Sequence, residues 1–530
     1  MPQLLRGNTL RLTFLQNNAF RVGILGICAV AAVTSCAGTA GQGSSGPAGA
    51  PVETATVRFA VTNPPTQLDP IATTNEVNDL PYFTALYDGL TGVDSKGELV
   101  NLLAESYDES DDRLTWTFTL RNGATFHDGS PIDGEAVVAN LNRALVAAPQ
   151  SGVLRPKLES VESITSTSPT EISVKLKEPD PGLPVALASP ALGMVSPASF
   201  GAAATAPIGS GPYKFESRAA NKVVYAKYDE YWNPDTAKAA RIEISGIPDG
   251  TARINGLRSG QIDATIAQLN LSAEIDALQS NPGFQVLENP TTSVATLYLN
   301  TSHTPLDNPL VRKALNYAVD RKAISDSLLG GKCTPTDQPF PNGPGYVEEL
   351  NDEYNYDPAK ARELLAEAGV QNLQIDGIFL AAGLSQTLAP AIQAQFAEAG
   401  IDLQLTSQTP AEVRPAFRAG GPDLMIHQIN AEADTSSALA NNFVGPDNPG
   451  GASQQIKDLA DAAIQTPVDS PEREQALEAF TRAAVAEPVH VHICSIPNFY
   501  VGASAVTGLD QMPWSSTTLT PDVRSLGKAS

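Results

Sequence analysis

The segment 114–120, Leu-Thr-Trp-Thr-Phe-Thr-Leu, alternates strictly between large apolar residues and threonines. Successive side chains of a β-strand point to opposite faces, so this alternation predicts a strand with one buried face. The segment 171–177 alternates in the same manner. Because such strands are interleaved with helical segments along the chain, the sequence predicts an α/β fold.

The helical segments begin at recognisable N-cap residues. Asp133, Asn308 and Asp357 each precede a stretch in which apolar residues recur every three or four positions. A short polar side chain at the N-cap satisfies free N–H groups of the first turn, so these positions mark helix starts. Arg312 and Arg321 flank the second of these helices, and we expect them to form salt bridges at the surface. A chain of 530 residues exceeds what one core organises, so two or three lobes are expected.

The N-terminal segment is predicted to be a secretory signal. Three arginines precede an apolar run over 22–33 that is too short to span a bilayer. The run ends in Val-Thr-Ser-Cys, which resembles the lipobox of bacterial lipoproteins, so residues 1–35 are expected to be removed and Cys36 to carry a lipid. An ordinary signal peptide with an incidental cysteine is the alternative. Residues 36–55, rich in Gly, Ser, Ala and Pro, are expected to form a flexible tether.

Charge and cysteine content limit the partners. The chain has a formal charge of −24, and residues 1–35 contain three arginines and no acid, so the remainder carries −27. Nucleic acids need a basic partner and are therefore not expected; an acidic surface aids solubility or attracts cationic ligands.

Besides Cys28 and Cys36 the chain contains Cys333 and Cys494. An oxidising exterior permits these two to pair, but the sequence alone does not show whether they meet.

A series of short motifs runs through the mature chain in a fixed order. They include Leu68-Asp69-Pro70, Leu86-Tyr87-Asp88-Gly89-Leu90, Phe126-His127-Asp128-Gly129, Gly209-Ser210-Gly211-Pro212-Tyr213 and Val311-Arg312-Lys313-Ala314-Leu315-Asn316-Tyr317-Ala318-Val319-Asp320-Arg321. Taken together, these motifs make the chain resemble the family 5 extracellular solute-binding proteins, the peptide, dipeptide and nickel group. Each motif alone has a structural explanation: His127, for example, is expected to bond locally within a turn.

The resemblance implies a two-lobed α/β fold of the periplasmic-binding-protein type II-like kind, with an extra subdomain and a hinge between the lobes. Segments 56–90, 208–300 and 489–530 are assigned to the first lobe, 91–207 to its extra subdomain and 301–488 to the second lobe. The chain would then cross between the lobes near residues 300 and 488.

The resemblance also implies a role. The chain would be the extracytoplasmic, membrane-anchored binding component of an ABC importer. It would pass a small ligand, most simply an oligopeptide, to permease and ATPase subunits. No cofactor is implied, and a monomer is expected.

Ligand contacts are assigned through the same resemblance. In the peptide-binding relatives, a carboxylate follows a strand of the form Asp-Leu-x-x-x-x-Trp and pairs with the free ammonium of the peptide. The strand here starts at Asp423, which places Glu432 at that carboxylate, with Asp434 as the alternative. The usual aromatic residue is replaced by Ile429. The remaining candidate contacts lie in three places: Asn430 and His427 on or after this strand, Tyr82 and Tyr87 near the first cleft-facing loop, and Asn498, Phe499 and Tyr500 after the second crossing.

The sequence gives little support to other classes of function. The sequence contains no Gly-x-Ser-x-Gly, His-Glu-x-x-His or phosphate-loop motif, so no enzymatic activity is expected. His490, His492 and Cys494 would share one face of a strand and, with Cys333, could bind a metal; a disulfide is the simpler explanation and no metal is assigned. Within the binding class the alternatives are a nickel chelate, a sugar or an opine as ligand. A surface receptor without transport is a further alternative.

Overall fold

The computed structural model describes residues 52, 54–74, 76–289, 291, 293–410, 412–429, 435–468, 470–512 and 521–529, without the side chains of 76–78 and 437. The predicted signal segment, Cys36 and most of the predicted tether lie outside the described residues. Asn430, Glu432 and Asp434 also lie outside them. Within the described part, no helix is long and apolar enough to cross a membrane.

The described residues form strands and helices that alternate along the chain. The strands are β1 (Thr56–Val61), β2 (Thr91–Val93), β3 (Leu99–Asn101), β4 (Ala104–Glu109), β5 (Thr115–Leu120), β6 (Val161–Ser168), β7 (Glu171–Leu176), β8 (Tyr213–Ala219), β9 (Lys222–Lys227), β10 (Arg241–Gly246), β11 (Ala264–Ala267), β12 (Phe284–Asn289), β13 (Val294–Leu299), β14 (Thr334–Pro335), β15 (Gln374–Leu380), β16 (Asp402–Gln408), β17 (Leu424–Ile429), β18 (His490–Ser495), β19 (Asn498–Ala503), β20 (Val506–Thr507) and β21 (Gly527–Lys528). The helices are α1 (Glu76–Phe83), α2 (Gly134–Ala147), α3 (Arg155–Leu158), α4 (Leu183–Ala186), α5 (Gly250–Arg258), α6 (Ser272–Gln279), α7 (Pro309–Tyr317), α8 (Arg321–Ala323), α9 (Pro358–Glu367), α10 (Gly383–Glu398), α11 (Val413–Arg418), α12 (Ser436–Leu439), α13 (Gln454–Gln465) and α14 (Pro471–Ala486).

Three larger sheets organise these strands. In the described part of the chain, the first sheet has seven strands in the order β12-β19-β11-β1-β10-β9-β8, and the second has six in the order β14-β18-β13-β17-β15-β16. A third sheet, β4-β5-β7-β6, lies in the predicted extra subdomain. Two principal sheets surrounded by helices form the two α/β lobes that the sequence predicts.

The local predictions for strands and helix starts are confirmed. In β5, Trp116, Phe118 and Leu120 are buried while the threonines between them are partly exposed. Asp133 caps α2, with its side chain accepting a hydrogen bond from the N–H of Ala136 at 3.0 Å. The N-caps of α7 and α9 are likewise the predicted Asn308 and Asp357.

The chain crosses between the two principal sheets at places that differ from the predicted ones. It leaves the first sheet after β12 and enters the second at β13; it returns between β18 and β19. Boundaries at 300 and 488 would therefore cut β13 and β18 from the sheet in which they pair. Both strands are buried along their whole length and pair with each other in the middle of the second sheet. The two passages from one principal sheet to the other thus lie between β12 and β13 and between β18 and β19.

Two predicted surface arginines are instead buried. Arg312 is 4% exposed and its Nε donates to the carbonyl of Pro488 at 2.6 Å. Arg321 is 7% exposed, donates to the carbonyl of His492 at 2.7 Å and pairs with Asp337 at 2.8 Å. The prediction of surface salt bridges was wrong, because distant backbone carbonyls supply the partners that a buried guanidinium requires.

A disulfide joins Cys333 to Cys494 in the second lobe, with Cα atoms 5.6 Å apart. The bond lies where β14 pairs with the end of β18, so it fastens the edge of the second sheet to its interior. Both cysteines are buried. The enclosed stretch spans 161 residues and contains most of the second lobe.

Candidate functional site

The carboxyl ends of the parallel strands define one edge of the first sheet. Strand β1 runs parallel to β10 and to β11, so the chain leaves all three strands at the same edge. At this edge β12 ends and β19 begins, with Asn289 opposite Asn498. Ligands of open α/β sheets bind outside the carboxyl ends of parallel strands, which makes this edge one wall of the candidate site.

The second sheet presents a corresponding edge. Strands β15, β16 and β17 are mutually parallel, and the carboxyl end of β17 lies beside the start of β13 and the end of β18. Ile429, Val294 and Ser495 are aligned across these three strands. The crossing between β12 and β13 ends at this edge, and the crossing between β18 and β19 starts from it. The two carboxyl edges therefore belong to opposite sides of one inter-lobe cleft.

The two crossings are hydrogen-bonded to each other. The N–H of Ile496 donates to the carbonyl of Ser293 at 2.8 Å, and the hydroxyl of Thr291 donates to the carbonyl of Ile496. The hydroxyl of Thr291 also accepts from the N–H of Ser293 at 3.0 Å. Adjacent, mutually bonded crossings are the geometry of a hinge, because both segments change conformation together when the lobes move.

Several buried polar atoms at the first-lobe wall of the cleft lack a partner within the described ranges. Asn498, at the start of β19, is 3% exposed and its Nδ2 has no hydrogen-bond partner among the described residues. The hydroxyl of Thr62, directly after β1, and Nε2 of Gln67 are also buried and also lack a hydrogen-bond partner among those residues. Buried polar groups are normally hydrogen-bonded, so these atoms are suited to a polar ligand. Their isolation depends on tertiary structure and has no signal in the sequence.

The predicted aromatic contacts lie within hydrophobic clusters. Tyr82 is fully buried, and its hydroxyl donates to the carbonyl of Asn63 at 2.9 Å, which holds the loop after β1. Phe499 and Tyr500 are neighbours on β19 and pack into different clusters, because alternate side chains face opposite sides of the sheet. The structure brings Asn498 and Ile429 to the two edges of the cleft, and it places Tyr82, Phe499 and Tyr500 behind them.

His427 lies on β17, two residues before Ile429 at the cleft edge, and is hydrogen-bonded to the backbone. It stands opposite Thr296 on β13, and its Nδ1 accepts the N–H of Gln428 at 2.8 Å. Burial and the nearby charge of Arg414 lower the pKa of His427 to about 3, so the ring is neutral. Because its Nδ1 already accepts the N–H of Gln428, the neutral ring stabilises the backbone near the end of β17.

The row His490, His492 and Cys494 does not share one face, and that interpretation is wrong. The register between β13 and β18 shifts between Ala295 and Thr296, so Cys494 stands opposite Ala295 while His492 stands opposite Thr296. This bulge turns Cys494 to the helix-covered face, where it bonds to Cys333. The two histidines instead pack with Phe443 on the other face. No group of three His, Cys, Asp or Glu side chains that could hold a metal exists among the described residues.

Two α/β lobes, joined by paired crossings and facing each other across the ends of their parallel strands, define the class of two-lobed binding proteins that close on a ligand. Residues 98–451 match the model of the bacterial extracellular solute-binding proteins, family 5 Middle. The chain belongs to this family, whose members are the substrate-binding proteins of ABC importers and are not enzymes. The predicted family and fold class are thereby confirmed.

Individual relatives agree with this assignment. The chain is 32% identical over 360 residues to the glutathione-binding protein GsiB of Escherichia coli K12. The aligned region covers 66% of this chain and 69% of GsiB. The structure of the periplasmic binding protein AgaA from A. tumefaciens R10, in complex with agropinic acid, superposes with a TM-score of 0.77 at 27% identity, covering 90% of this chain and 99% of AgaA. NikA from Brucella suis, in complex with Fe(III)-EDTA, shares the fold at a TM-score of 0.79 and 24% identity, covering 89% of this chain and 100% of NikA.

Proposed function

We propose that this chain binds an oligopeptide in the inter-lobe cleft and delivers it, from the outer face of the cytoplasmic membrane, to the permease of an ABC importer. The observation that carries the proposal is a set of buried polar atoms at the first-lobe wall that have no hydrogen-bond partner in the described part of the chain, namely Asn498 Nδ2, Thr62 Oγ1 and Gln67 Nε2. Amide N–H groups are donors for peptide carbonyls, and a peptide offers such acceptors at regular spacing. The glutathione-binding relative GsiB supports a peptide-like ligand.

The second-lobe wall would recognise the peptide ammonium. We assign this role to Glu432, with Asp434 as the alternative, in the segment that follows β17 at the cleft edge. An ammonium enclosed in a closed cleft must be paired, because removing one partner of a buried ion pair costs about 3–5 kcal/mol. Glu432→Ala is therefore expected to weaken peptide binding more than Asp434→Ala does. Equal affinities of the wild type and both variants would contradict the assignment.

Mass spectrometry of the molecules that co-purify with the mature domain, followed by thermal unfolding with those molecules, tests the ligand class. A ligand that binds only the folded state at 100 times its Kd adds about 2.7 kcal/mol to the free energy of unfolding. We expect di- to oligopeptides to raise the Tm. A rise with the metal chelate Fe(III)-EDTA or with agropinic acid, and none with any peptide pool, would instead support the chelate or opine alternatives that NikA and AgaA represent.

We further propose that Cys36 carries the lipid that keeps the monomeric binding domain at the membrane. The proposal rests on the small residues that precede Cys36 and the Gly, Ser and Ala tether that follows it. Cys36→Ala is expected to move the protein from the membrane fraction to the soluble extracytoplasmic fraction. Retention of the variant in the membrane fraction would contradict the anchor.

A further inference from the structure

The segment 329–333 runs beside the second crossing between the lobes. It precedes β14, which pairs antiparallel with the end of β18 so that Thr334 stands opposite Ser495. Because the pair is antiparallel, the residues before Thr334 lie beyond Ser495, beside the crossing that leads from β18 to β19. The segment therefore extends from the edge of the second sheet toward the first lobe.

One end of this segment is fixed to the second lobe. Cys333 is bonded to Cys494, which lies in β18 shortly before the crossing. The carbonyl of Cys333 accepts the hydroxyl of Ser325, and the N–H of Gly331 donates to the carbonyl of Ser325 at 2.9 Å. The covalent bond and the hydrogen bonds attach the segment to the second lobe, so it moves with that lobe.

The same segment contacts α6 and β19 of the first lobe. Nζ of Lys332 lies 2.6 Å from Oδ1 of Asp276 on α6 and 5.9 Å from the centre of the Phe499 ring on β19. A cation within about 6 Å of an aromatic ring centre is attracted to its face. Gly330 approaches α6 closely, because a Cβ at this position would stand 3.1 Å from the Cβ of Ser272. The segment is thus fitted to the first lobe by charge and by shape.

The lobes touch each other beyond the crossings. Leu329 is buried in a hydrophobic cluster that also contains Ile275 of α6 and Phe499 of β19. In the extra subdomain, Nη2 of Arg113, in the turn between β4 and β5, donates to the carbonyl of Gln465 at the end of α13 at 3.2 Å. The structure therefore shows an arrangement in which the first lobe, with its subdomain, is in contact with the second lobe.

We propose that segment 329–333 is a strut across the hinge, and that Lys332 stabilises the arrangement in which the lobes are in contact. The disulfide fixes the strut to the second lobe, whereas an ion pair and packing hold it to the first. Rotation about the hinge moves α6 relative to the second lobe and separates Lys332 from Asp276. An interaction present in only one of two arrangements shifts the population toward that arrangement. The strut acts in this way whichever ligand occupies the cleft.

Lys322 supplies a matched control for Lys332. It pairs with Asp326 inside the second lobe. Lys322→Gln and Lys332→Gln therefore lose the same kind of ion pair and the same charge, but Lys332→Gln also removes a bond between the lobes. Asp276→Asn removes that bond from the first-lobe side. If Lys332 only stabilised its own loop, Asp276→Asn and Lys332→Gln would not change the lobe arrangement.

Double electron–electron resonance on the ligand-free protein measures the lobe arrangement. Spin labels are attached to ketone-bearing amino acids that replace Thr165 in the subdomain and Asp461 on α13, both exposed, so that the cysteines stay unlabelled. We expect Lys332→Gln and Asp276→Asn to raise the population with long label distances about threefold, the effect of losing a partly exposed ion pair, at an unchanged Tm. Lys322→Gln should keep the wild-type distribution. A wild-type distribution in Lys332→Gln or Asp276→Asn, or an equal change in Lys322→Gln, would overturn the proposal.

Discussion

Removal of the disulfide between Cys333 and Cys494 is expected to destabilise the second lobe strongly. The bond closes a loop of 161 residues. In the chain-entropy model, a loop of this length restricts the unfolded chain enough to stabilise the folded state by about 5 kcal/mol, near the upper end of the usual range. The variant Cys333→Ala/Cys494→Ala should therefore lose most of this free energy of unfolding, because the crosslink acts mainly on the unfolded chain.

Urea denaturation of the oxidised wild type and the double variant measures this loss as a lower transition midpoint for the second lobe. Wild type kept in reductant is the matched control, because it retains both buried sulfur atoms and leaves no cavity. If the unfolded-state argument is right, reduced wild type should unfold near the variant. If the free energy of unfolding of the reduced wild type fell by less than about 1 kcal/mol, the reasoning would be refuted. Any destabilisation of the variant would then come from the cavities that two alanines leave.

Two further variants test the buried polar groups of the second lobe. Arg321→Ala leaves Asp337 buried without its ion-pair partner, which is expected to cost about 3–5 kcal/mol in urea denaturation; a loss below 1 kcal/mol would contradict the structural role. His490 packs edge-on against Tyr298 and Phe443, and burial lowers its pKa from 6.5 to about 3, so the unfolded chain binds the proton first as the pH falls. Its contribution to stability is complete above pH 6.5 and is lost toward pH 3, by about 2 kcal/mol at pH 5. His490→Phe should flatten the decline of stability between pH 7 and 5, and an unchanged slope would contradict the assignment.

Local features of the fold were predictable from the sequence because neighbouring residues determine them. The alternation in β5 and the N-caps Asp133, Asn308 and Asp357 needed no knowledge of distant contacts. The burial of Arg312 was not predictable, because the acceptor of its Nε, the carbonyl of Pro488, lies 176 residues away. A charged residue on an amphipathic helix ordinarily indicates an exposed position, and only the tertiary fold supplies the buried acceptors.

The candidate site shows the same division. The resemblance to the family predicted a strand that starts at Asp423, and β17 (Leu424–Ile429) lies there. The bulge between Ala295 and Thr296 left no trace in the alternation, yet it decides which face Cys494 occupies. Likewise His127 was expected to bond within its own turn, but its Nε2 contacts the carbonyl of Gly211 at 2.9 Å. Gly211 lies so close to the backbone of Leu86 that a Cβ there would stand 2.6 Å from its carbonyl carbon, which explains a glycine at this position.

The position of β19 between β11 and β12 has a consequence for biogenesis. A ribosome completes β1, β10 and β11 early, but the gap between β11 and β12 stays open until residue 503 has been made. The second lobe, 294–495, is continuous in the chain and contains all the strands of its own sheet, so it is expected to fold as an independent module while the first lobe waits for its last strand. Truncation shortly before β19 should therefore yield a folded C-terminal module attached to an open, aggregation-prone N-terminal sheet.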